Sequence, residues 1–288
     1  ETKKDNKKEE LFYQYYEQCI QVYKNGAVRK VTMDKYILAS NWLKKLVPDL
    51  KVSELTRIRY QQLINKYAEF HERQATMDFH HLLKGAILDA VDERLIDRDP
   101  TRKVIIKGKT PREKKIKYLS QFELHNLLSS LDLKNGSNWD WLIMLIAKTG
   151  MRFSEALAIT PKDFDFLHQT LSVNKTWNYK NKGGFSPTKN NSSVRKIQLD
   201  WQTVVQFSEM VKDKDEDKPL FVDCIVYNST VNDVLKRCCV KADIPIITIH
   251  GLRHTHASLL LFAGVSIASV ARRLGHASMT TTQKRICI

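Results

Sequence analysis

The stretch HGLRHT at residues 250–255 is the segment on which the fold prediction depends, and two others belong with it. TGMRFSEAL occupies residues 149–157, and LGH occupies residues 274–276. Each segment alone is a weak signal, because LGH occurs by chance and a lone arginine often only pairs with a carboxylate. All three in this order form a strong signal, which the surrounding sequence then extends.

The second half of the chain is predicted to be helical with one β-hairpin. Ser120 is an N-cap with Glu123 in the capping-box position, and the apolar segment 139–149 is followed by a glycine, as helix C-termini often are. β-Type residues then occupy 170–179 and 192–199, separated by a stretch rich in glycine, proline and asparagine. These segments predict a hairpin with a long connection, after which the chain returns to helices.

The first half is predicted to be a compact helical domain. Its first helical pattern places four residues near one face: Leu11, Tyr15, Cys19 and Val22. The clearest helix is predicted at 75–96, where one apolar stripe repeats at helical spacing.

A composition break separates the two halves. Residues 98–111 contain two prolines, one glycine and many lysines and arginines, which is typical of a linker. We therefore divide the chain into a charged lead-in at 1–10, a helical domain at 11–97, a basic linker at 98–111 and a mixed domain at 112–288.

Composition indicates a globular chain that attracts polyanions. The 288 residues carry a formal charge of +15, which favours nucleic acid as a partner but also fits a solvated, lysine-rich surface. The five cysteines form an odd set with no C-x-x-C spacing, which argues against a disulfide framework or a zinc ribbon and fits a reducing compartment. No apolar run approaches the length of a membrane span, and residues 1–10 contain no apolar signal region. We expect a cytoplasmic protein.

Together these segments resemble the signature of tyrosine recombinases, the phage-type integrases: an arginine in TGMRFSE, a His-x-x-Arg in HGLRH and a histidine in LGH. The long hairpin most resembles integrases of Gram-positive phages and conjugative transposons. The resemblance implies a mainly α fold with a small β-sheet, built from a helical core-binding domain and a mixed α/β catalytic domain. Such relatives carry a further arm-binding domain, so we expect a fragment from a bacterial DNA-associated protein.

The resemblance implies a transesterification at a phosphodiester, which builds negative charge on the non-bridging oxygens. Arg152 and Arg253 are the predicted clamp, because guanidinium forks grip such oxygens and keep their charge. His250 is predicted to donate a hydrogen bond or move a proton, and His276 to donate to the same phosphate. The clamp supplies with side chains what many nucleases obtain from magnesium, so no metal or other cofactor is expected.

A hairpin lysine supplies a proton to the leaving 5′-oxygen in this family. Lys189, before the second predicted strand, matches that position, and Lys175 is the alternative because the long connection leaves the register open. Glu155 is expected to orient an arginine or to cap a helix.

The attacking tyrosine is the point at which the sequence departs from the family pattern. The family places it about ten residues after the LGH histidine, where this chain has Ile286. The last tyrosine is Tyr227, and Cys287 is one residue away from the expected position. We expect a C-terminally incomplete catalytic domain that does not cleave DNA and a weakened assembly into tetramers.

The implied partner is double-stranded DNA, held between the two domains, with side chains of 73–85 reading a groove. One alternative is a DNA-binding protein without catalysis, such as a decayed integrase. Another is a nicking-closing enzyme of the type IB topoisomerase kind. A third, a metal nuclease built on His250, His254 and His256, would lose its activity in EDTA.

Overall fold

The computed structural model describes residues 9–110, 118–134, 136–180, 183–188, 190–222 and 225–286. The chain divides into two compact units, Glu1–Lys114 and Lys115–Ile288. In the described ranges, no helix is both long enough and apolar enough to cross a bilayer. The fold class expected from the sequence, mainly helical with a small sheet, is confirmed.

The first unit is built from four described helices and a short 3₁₀ turn at Val52–Glu54. These helices are α1 (Phe12–Tyr23), α2 (Lys30–Leu46), α3 (Arg57–Ala68) and α4 (Arg73–Asp92). The stripe predicted for α4 is confirmed, since its large apolar side chains line the core.

The buried face of α1 differs from the prediction. Phe12, Tyr16 and Ile20 are buried beside Tyr15, whereas Val22 is exposed. The larger aromatic side chains one position along the helix fill the core better than the predicted set, because aromatic rings bury the most apolar area.

The second unit contains the remaining described helices. They are α5 (Gln121–Ser130), α6 (Trp139–Thr149), α7 (Phe153–Ala156), α8 (Trp201–Val211), α9 (Asn228–Lys241), α10 (Ile249–Phe262), α11 (Ile267–Leu274) and α12 (Met279–Ile286). The capping box predicted at Ser120 and Glu123 is present at the start of α5. Helix α6 is almost wholly buried and packs against α10. It therefore forms the centre of this unit.

The strands form two small antiparallel sheets. One contains β1 (Phe164–Asp165), β2 (Thr170–Val173) and β5 (Arg195–Gln198) in the order β1-β2-β5, and the other pairs β3 (Lys175–Trp177) with β4 (Phe185–Pro187). In the first sheet Leu171 faces Ile197. The predicted pairing of the two β segments is therefore confirmed for β2 and β5. The prediction was wrong in two respects, because the first segment is divided into β2 and β3 and the connection contains β4, which pairs with β3.

Two helix ends prepare the site described next. Gly150 ends α6 with φ 67°, and Gly275 ends α11 with φ 68°, a left-handed conformation that glycine adopts without the Cβ penalty. Each end leaves carbonyl oxygens that no helical N–H satisfies. These carbonyls are acceptors for side chains from elsewhere in the unit.

Candidate active site

The turn Leu274–Gly275–His276, between α11 and α12, is the point at which the predicted site residues meet. The backbone N–H of His276 donates to the carbonyl of Ala271 over 3.0 Å, which closes the end of α11. A Cβ added at Gly275 would lie 3.0 Å from Nη1 of Arg195 and 3.2 Å from the carbonyl oxygen of Ser192. The turn is therefore packed tightly against the residues before β5.

Arg253 joins the ends of α6 and α11. Its side chain projects from α10 and is only 4% exposed. Nη1 donates to the carbonyl of Gly150 over 2.6 Å, and Nη2 donates to the carbonyl of Leu274 over 2.7 Å. Helix C-termini carry partial negative charge, so both contacts stabilise the guanidinium.

Arg152 reaches the same turn from the start of α7. Its Nη2 donates to the carbonyl of Gly275 over 2.9 Å, and its Nη1 donates to Oγ of Ser193 over 3.2 Å. The side chain is 29% exposed. Two guanidinium groups from separate segments therefore donate to the consecutive carbonyls of Leu274 and Gly275, and the guanidinium of Arg152 faces solvent in part.

Glu155 is the buried anion of the site, with a side chain only 1% exposed. It accepts from Nη1 of Arg152 over 2.6 Å, from the backbone N–H of Arg152 over 3.0 Å and from Nη2 of Arg195 over 3.0 Å. Burial opposes ionisation, but the Arg195 and Arg152 guanidinium groups outweigh it and hold the pKa of Glu155 below its ordinary value. The expectation that Glu155 orients an arginine and caps a helix is confirmed.

Arg195, on β5, is a site residue that the sequence analysis missed. Its side chain is 6% exposed, its Nε donates to the carbonyl of Arg273 over 2.6 Å, and its Nη1 donates to the carbonyl of Ser193 over 2.9 Å. A signal for it was present, because Arg195 lies two positions before the buried Ile197 and side chains alternate along a strand. An arginine on the inward face of a strand requires buried acceptors, which here are Glu155 and two carbonyls.

The two predicted histidines lie in different surroundings. Nδ1 of His276 lies 2.8 Å from Oγ1 of Thr282, a fully buried residue of α12. His250 is exposed in the first turn of α10, and its ring is perpendicular to that of His254 at 4.8 Å between centroids. The structure thus brings Arg152, Arg253 and the turn bearing His276 together, and it places His250 one helical turn before Arg253.

The hairpin lysines and the nucleophile position are described in part. Nζ of Lys175 lies 2.6 Å from Oδ1 of Asp163, a buried carboxylate that also accepts from Thr160. Lys175 is thus engaged in an internal ion pair. Lys189 and Cys287 lie outside the described residues, and Ile286 is the last residue of α12.

The electrostatics of the site favour an anion. The guanidinium groups of Arg152, Arg195 and Arg253 lie against the turn, and Glu155 pairs with the first two of them. Most of their other partners are backbone carbonyls, which orient guanidinium groups without neutralising them. Such an arrangement suits the tetrahedral oxygens of a phosphate group. In the ranges that the structure describes, no group of His, Cys, Asp or Glu side chains could hold a metal ion.

The phage integrase family model matches residues 117–285 of the chain. A tyrosine recombinase XerC-like protein of Caldanaerobacter subterraneus is 23% identical over 81% of this chain and 67% of its own length. The integrase of Staphylococcus phage L54a is 31% identical over 48% of this chain and 44% of its own, and tyrosine recombinase XerC of Bacillus subtilis is 30% identical over 66% and 62%. The chain thus spans between 44% and 67% of the length of these relatives.

Solved structures show the same fold. The Tn1549 transposon integrase in complex with a circular intermediate DNA superposes with a TM-score of 0.80 at 19% identity, covering 95% of this chain and 94% of that one. A lambda integrase dimer bound to a COC′ core site gives a TM-score of 0.67 at 14% identity, covering 95% and 76%. At these identities the likeness concerns the fold.

Proposed function

Because this chain belongs to the phage integrase family of tyrosine recombinases, we propose that it binds duplex DNA and holds one phosphate at the Leu274–His276 turn. Arg152 and Arg253 grip the non-bridging oxygens, and His276 adds a further donor. In this proposal the region at 112–288 is the catalytic domain and the helical region at 11–97 is the core-binding domain. Phosphate contacts supply most of the affinity, so binding weakens as salt rises.

One observation carries this proposal. Arg152 and Arg253 lie about a hundred residues apart in the chain, yet they donate to the adjacent carbonyls of Gly275 and Leu274 over 2.9 and 2.7 Å. Guanidinium groups repel one another unless an anion or an oriented dipole lies between them. Placing two of them at one turn, with solvent access through Arg152, provides the preorganised positive charge that a phosphodiester requires.

The proposed chemistry is a transesterification carried by side chains. A tyrosine oxygen forms a bond to the 3′-phosphate while the bond from phosphorus to the 5′-oxygen breaks, and Lys189 gives a proton to that leaving oxygen. His250 accepts the proton that the attacking tyrosine hydroxyl loses. Lys189 is preferred to Lys175 because Lys175 is engaged with the buried Asp163. The scheme uses no metal and no nucleotide cofactor.

We further propose that the 288-residue polypeptide binds DNA without cleaving it. Ile286 stands where the family pattern places the tyrosine, and no tyrosine follows Tyr227 in the sequence. An isoleucine side chain offers no nucleophilic atom. Cleavage and the passage through strand exchange therefore depend on a tyrosine at position 286.

Sequence choice is assigned to the helical unit. Helix α4 presents exposed polar side chains along its outer face: Arg73, Gln74, Asp78, His81 and Lys84. Side chains of this kind read base edges in the major groove. Exchanging these residues should alter which duplex is preferred, and an unchanged preference in a selection from random duplexes would contradict the assignment. Self-association into tetramers on DNA is proposed by family likeness.

A nicked suicide duplex tests the catalytic part of the proposal. The 288-residue protein and its Ile286→Tyr variant are incubated with the duplex in EDTA and separated under denaturing conditions. We expect both to bind DNA and the Tyr variant alone to form a protease-sensitive covalent adduct. Ile286→Phe is the matched control, because it adds the ring without the hydroxyl.

Two results would overturn the assignment. An adduct formed by the protein with Ile286 would show that another nucleophile is present. The Cys287→Ala variant would then test whether that nucleophile is Cys287. Failure of the protein to bind any duplex at low salt would contradict the proposed function itself. Loss of the adduct in Ile286→Tyr when Arg253→Lys is added would support the clamp, since lysine lacks the planar fork.

A further inference from the structure

His256, on α10, and Arg273, on α11, form a buried hydrogen-bonded pair beside the clamp. Nδ1 of His256 lies 3.0 Å from the carbonyl oxygen of Ala147, and Nε2 lies 2.9 Å from Nε of Arg273. A carbonyl only accepts, so Nδ1 carries the proton and Nε2 accepts from the guanidinium. The two contacts together fix the tautomer and the ring orientation.

Arg273 connects three elements of the unit. Its Nη1 donates to the carbonyl of Gln198, at the end of β5, and its Nη2 donates to that of Lys148, in α6, over 3.0 and 3.3 Å. Its own carbonyl accepts from Nε of Arg195. The next residue, Leu274, carries the carbonyl to which Arg253 donates. The Arg273 side chain therefore anchors the backbone immediately before the Leu274–His276 turn.

His256 also packs against the other helix end that holds the clamp. A Cβ added at Gly150 would lie 2.7 Å from Cδ2 of His256 and 2.8 Å from Cδ2 of Leu274. The imidazole is thus packed directly against the residue whose carbonyl accepts from Nη1 of Arg253. A change in the ring position would therefore act on Gly150 directly and on Leu274 through Arg273.

The partners of Arg273 in these contacts are uncharged. Burial and the neighbouring Arg273 guanidinium lower the pKa of His256 to about 3, so the imidazole stays neutral across the pH range in which the protein would act. A neutral acceptor orients a guanidinium and leaves its charge in place. A carboxylate at the same point would cancel positive charge beside the phosphate site.

We propose that His256 and Arg273 are positioning residues for the phosphate clamp. His256 serves as a neutral acceptor that fixes Arg273, and Arg273 fixes the turn at which Arg152 and Arg253 meet. The inference rests on the proposed function for its catalytic consequence, whereas its structural consequence is measurable without any reaction.

Three substitutions separate the features of the pair. His256→Phe keeps a ring of similar shape and removes the acceptor, His256→Gln keeps a neutral acceptor, and Arg273→Lys keeps the charge and removes the fork. The catalytic readout is single-turnover cleavage of the nicked duplex by the Ile286→Tyr protein.

We expect His256→Phe and Arg273→Lys to lower the cleavage rate by on the order of 10- to 100-fold, because small displacements of clamp groups have effects of that size. Affinity for the duplex should change by less than about threefold, since most phosphate contacts are unaltered. His256→Gln should keep the rate within about threefold of the parent, because it retains a neutral acceptor.

The second readout uses the 288-residue protein with isoleucine at position 286. Side-chain NMR of ¹⁵N-labelled arginines follows the Nε–H signals, and His256→Phe should shift those of Arg273 and Arg253 while His256→Gln shifts them less. Movement of both signals without any cleavage by the Ile286→Tyr protein would support the positioning pair and contradict the proposed function.

Three outcomes would overturn the positioning role. The first is a folded His256→Phe variant with an unchanged Arg253 signal and an unchanged cleavage rate. The second is an equal loss of cleavage in His256→Phe and His256→Gln, which would indicate packing alone. If His256→Phe does not fold, Arg273→Lys replaces it as the test, because Arg273 is partly exposed. The third outcome is an Arg253 signal that Arg273→Lys leaves unchanged.

Discussion

Replacing Glu155 by glutamine tests the ionic centre of the site. Glu155 accepts two guanidinium N–H groups and one backbone N–H, and its side chain is 1% exposed. Removing one partner of a buried ion pair costs about 3–5 kcal/mol. The freed N–H of Arg152 can bind water because that side chain is 29% exposed, whereas Arg195 at 6% has little access. We therefore expect the low end, a loss of about 3 kcal/mol.

The loss should appear as a lower melting temperature of the second unit. For a unit of this size about 3 kcal/mol corresponds to roughly 6–12 °C. The assay is thermal and urea unfolding of the whole chain, with the transition of the second unit followed by its tryptophans, which outnumber the one in the first unit. Glu209→Gln is the matched control, because that carboxylate is exposed on α8, and it should change stability by less than about 0.5 kcal/mol.

The pH dependence gives an independent check on the same residue. The pKa of Glu155 is held below 4.5, so its ionisation stabilises the folded state above that pH, and the contribution is lost as the pH falls through the lower, folded value. The difference between wild type and Glu155→Gln should therefore be full at pH 7 and shrink in acid. A difference below about 1 kcal/mol at pH 7, or one that stays constant on acidification to about pH 3, would refute the reasoning.

Three further predictions concern a buried histidine, the two hairpin lysines and two left-handed glycines. Burial lowers the pKa of His80, so the first unit should lose stability as pH falls below about 6.5, and His80→Gln should flatten that slope in urea titrations; an unchanged slope would contradict it. Lys175→Met should destabilise the second unit by about 3 kcal/mol, because it leaves the buried carboxylate of Asp163 without its cationic partner. Lys189→Met should instead abolish cleavage by the Ile286→Tyr protein without lowering its melting temperature. The reverse pattern would exchange the roles assigned to the two lysines. Gly150→Ala should destabilise the protein far more than Gly264→Ala, because a Cβ at Gly150 would collide with His256 and Leu274. Nothing lies within 4 Å of a Cβ at Gly264, so that substitution costs only about 1 kcal/mol for the left-handed backbone. Equal melting temperatures of the two variants would contradict the close packing at Gly150.

The features that could be predicted from the sequence are those whose signal lies within one continuous stretch of the chain. The capping box at Ser120 and Glu123 spans four positions, and the glycine end of α6 follows directly from an apolar helix and Gly150. The stripe of α4 is a helical repeat over twenty residues. In each case the sequence pattern and the structural feature that it predicts involve the same neighbouring residues, so the sequence alone is sufficient to predict the feature.

The features that were missed depend on partners far along the chain. Arg195 donates to Arg273, 78 residues later, and no local pattern records that distance. Strand β4, which pairs with β3, was missed because it has only three residues, too few for a periodic signal. The face of α1 was misjudged because the choice between Tyr15 and Tyr16 as the centre of the stripe depends on which side chains the rest of the unit presents.

The site shows how one small volume can hold several cations and still favour an anion. Guanidinium groups paired with carboxylates would be well held, but each pairing would remove positive charge from a surface that attracts anions. Here Arg253 is held by the carbonyls of Gly150 and Leu274, two helix C-termini whose partial charges stabilise a cation by about 0.3–1 kcal/mol each. The neutral ring of His256 does the same for Arg273. The left-handed glycines that end these helices are therefore part of the electrostatic arrangement, because they expose carbonyls that orient the arginines.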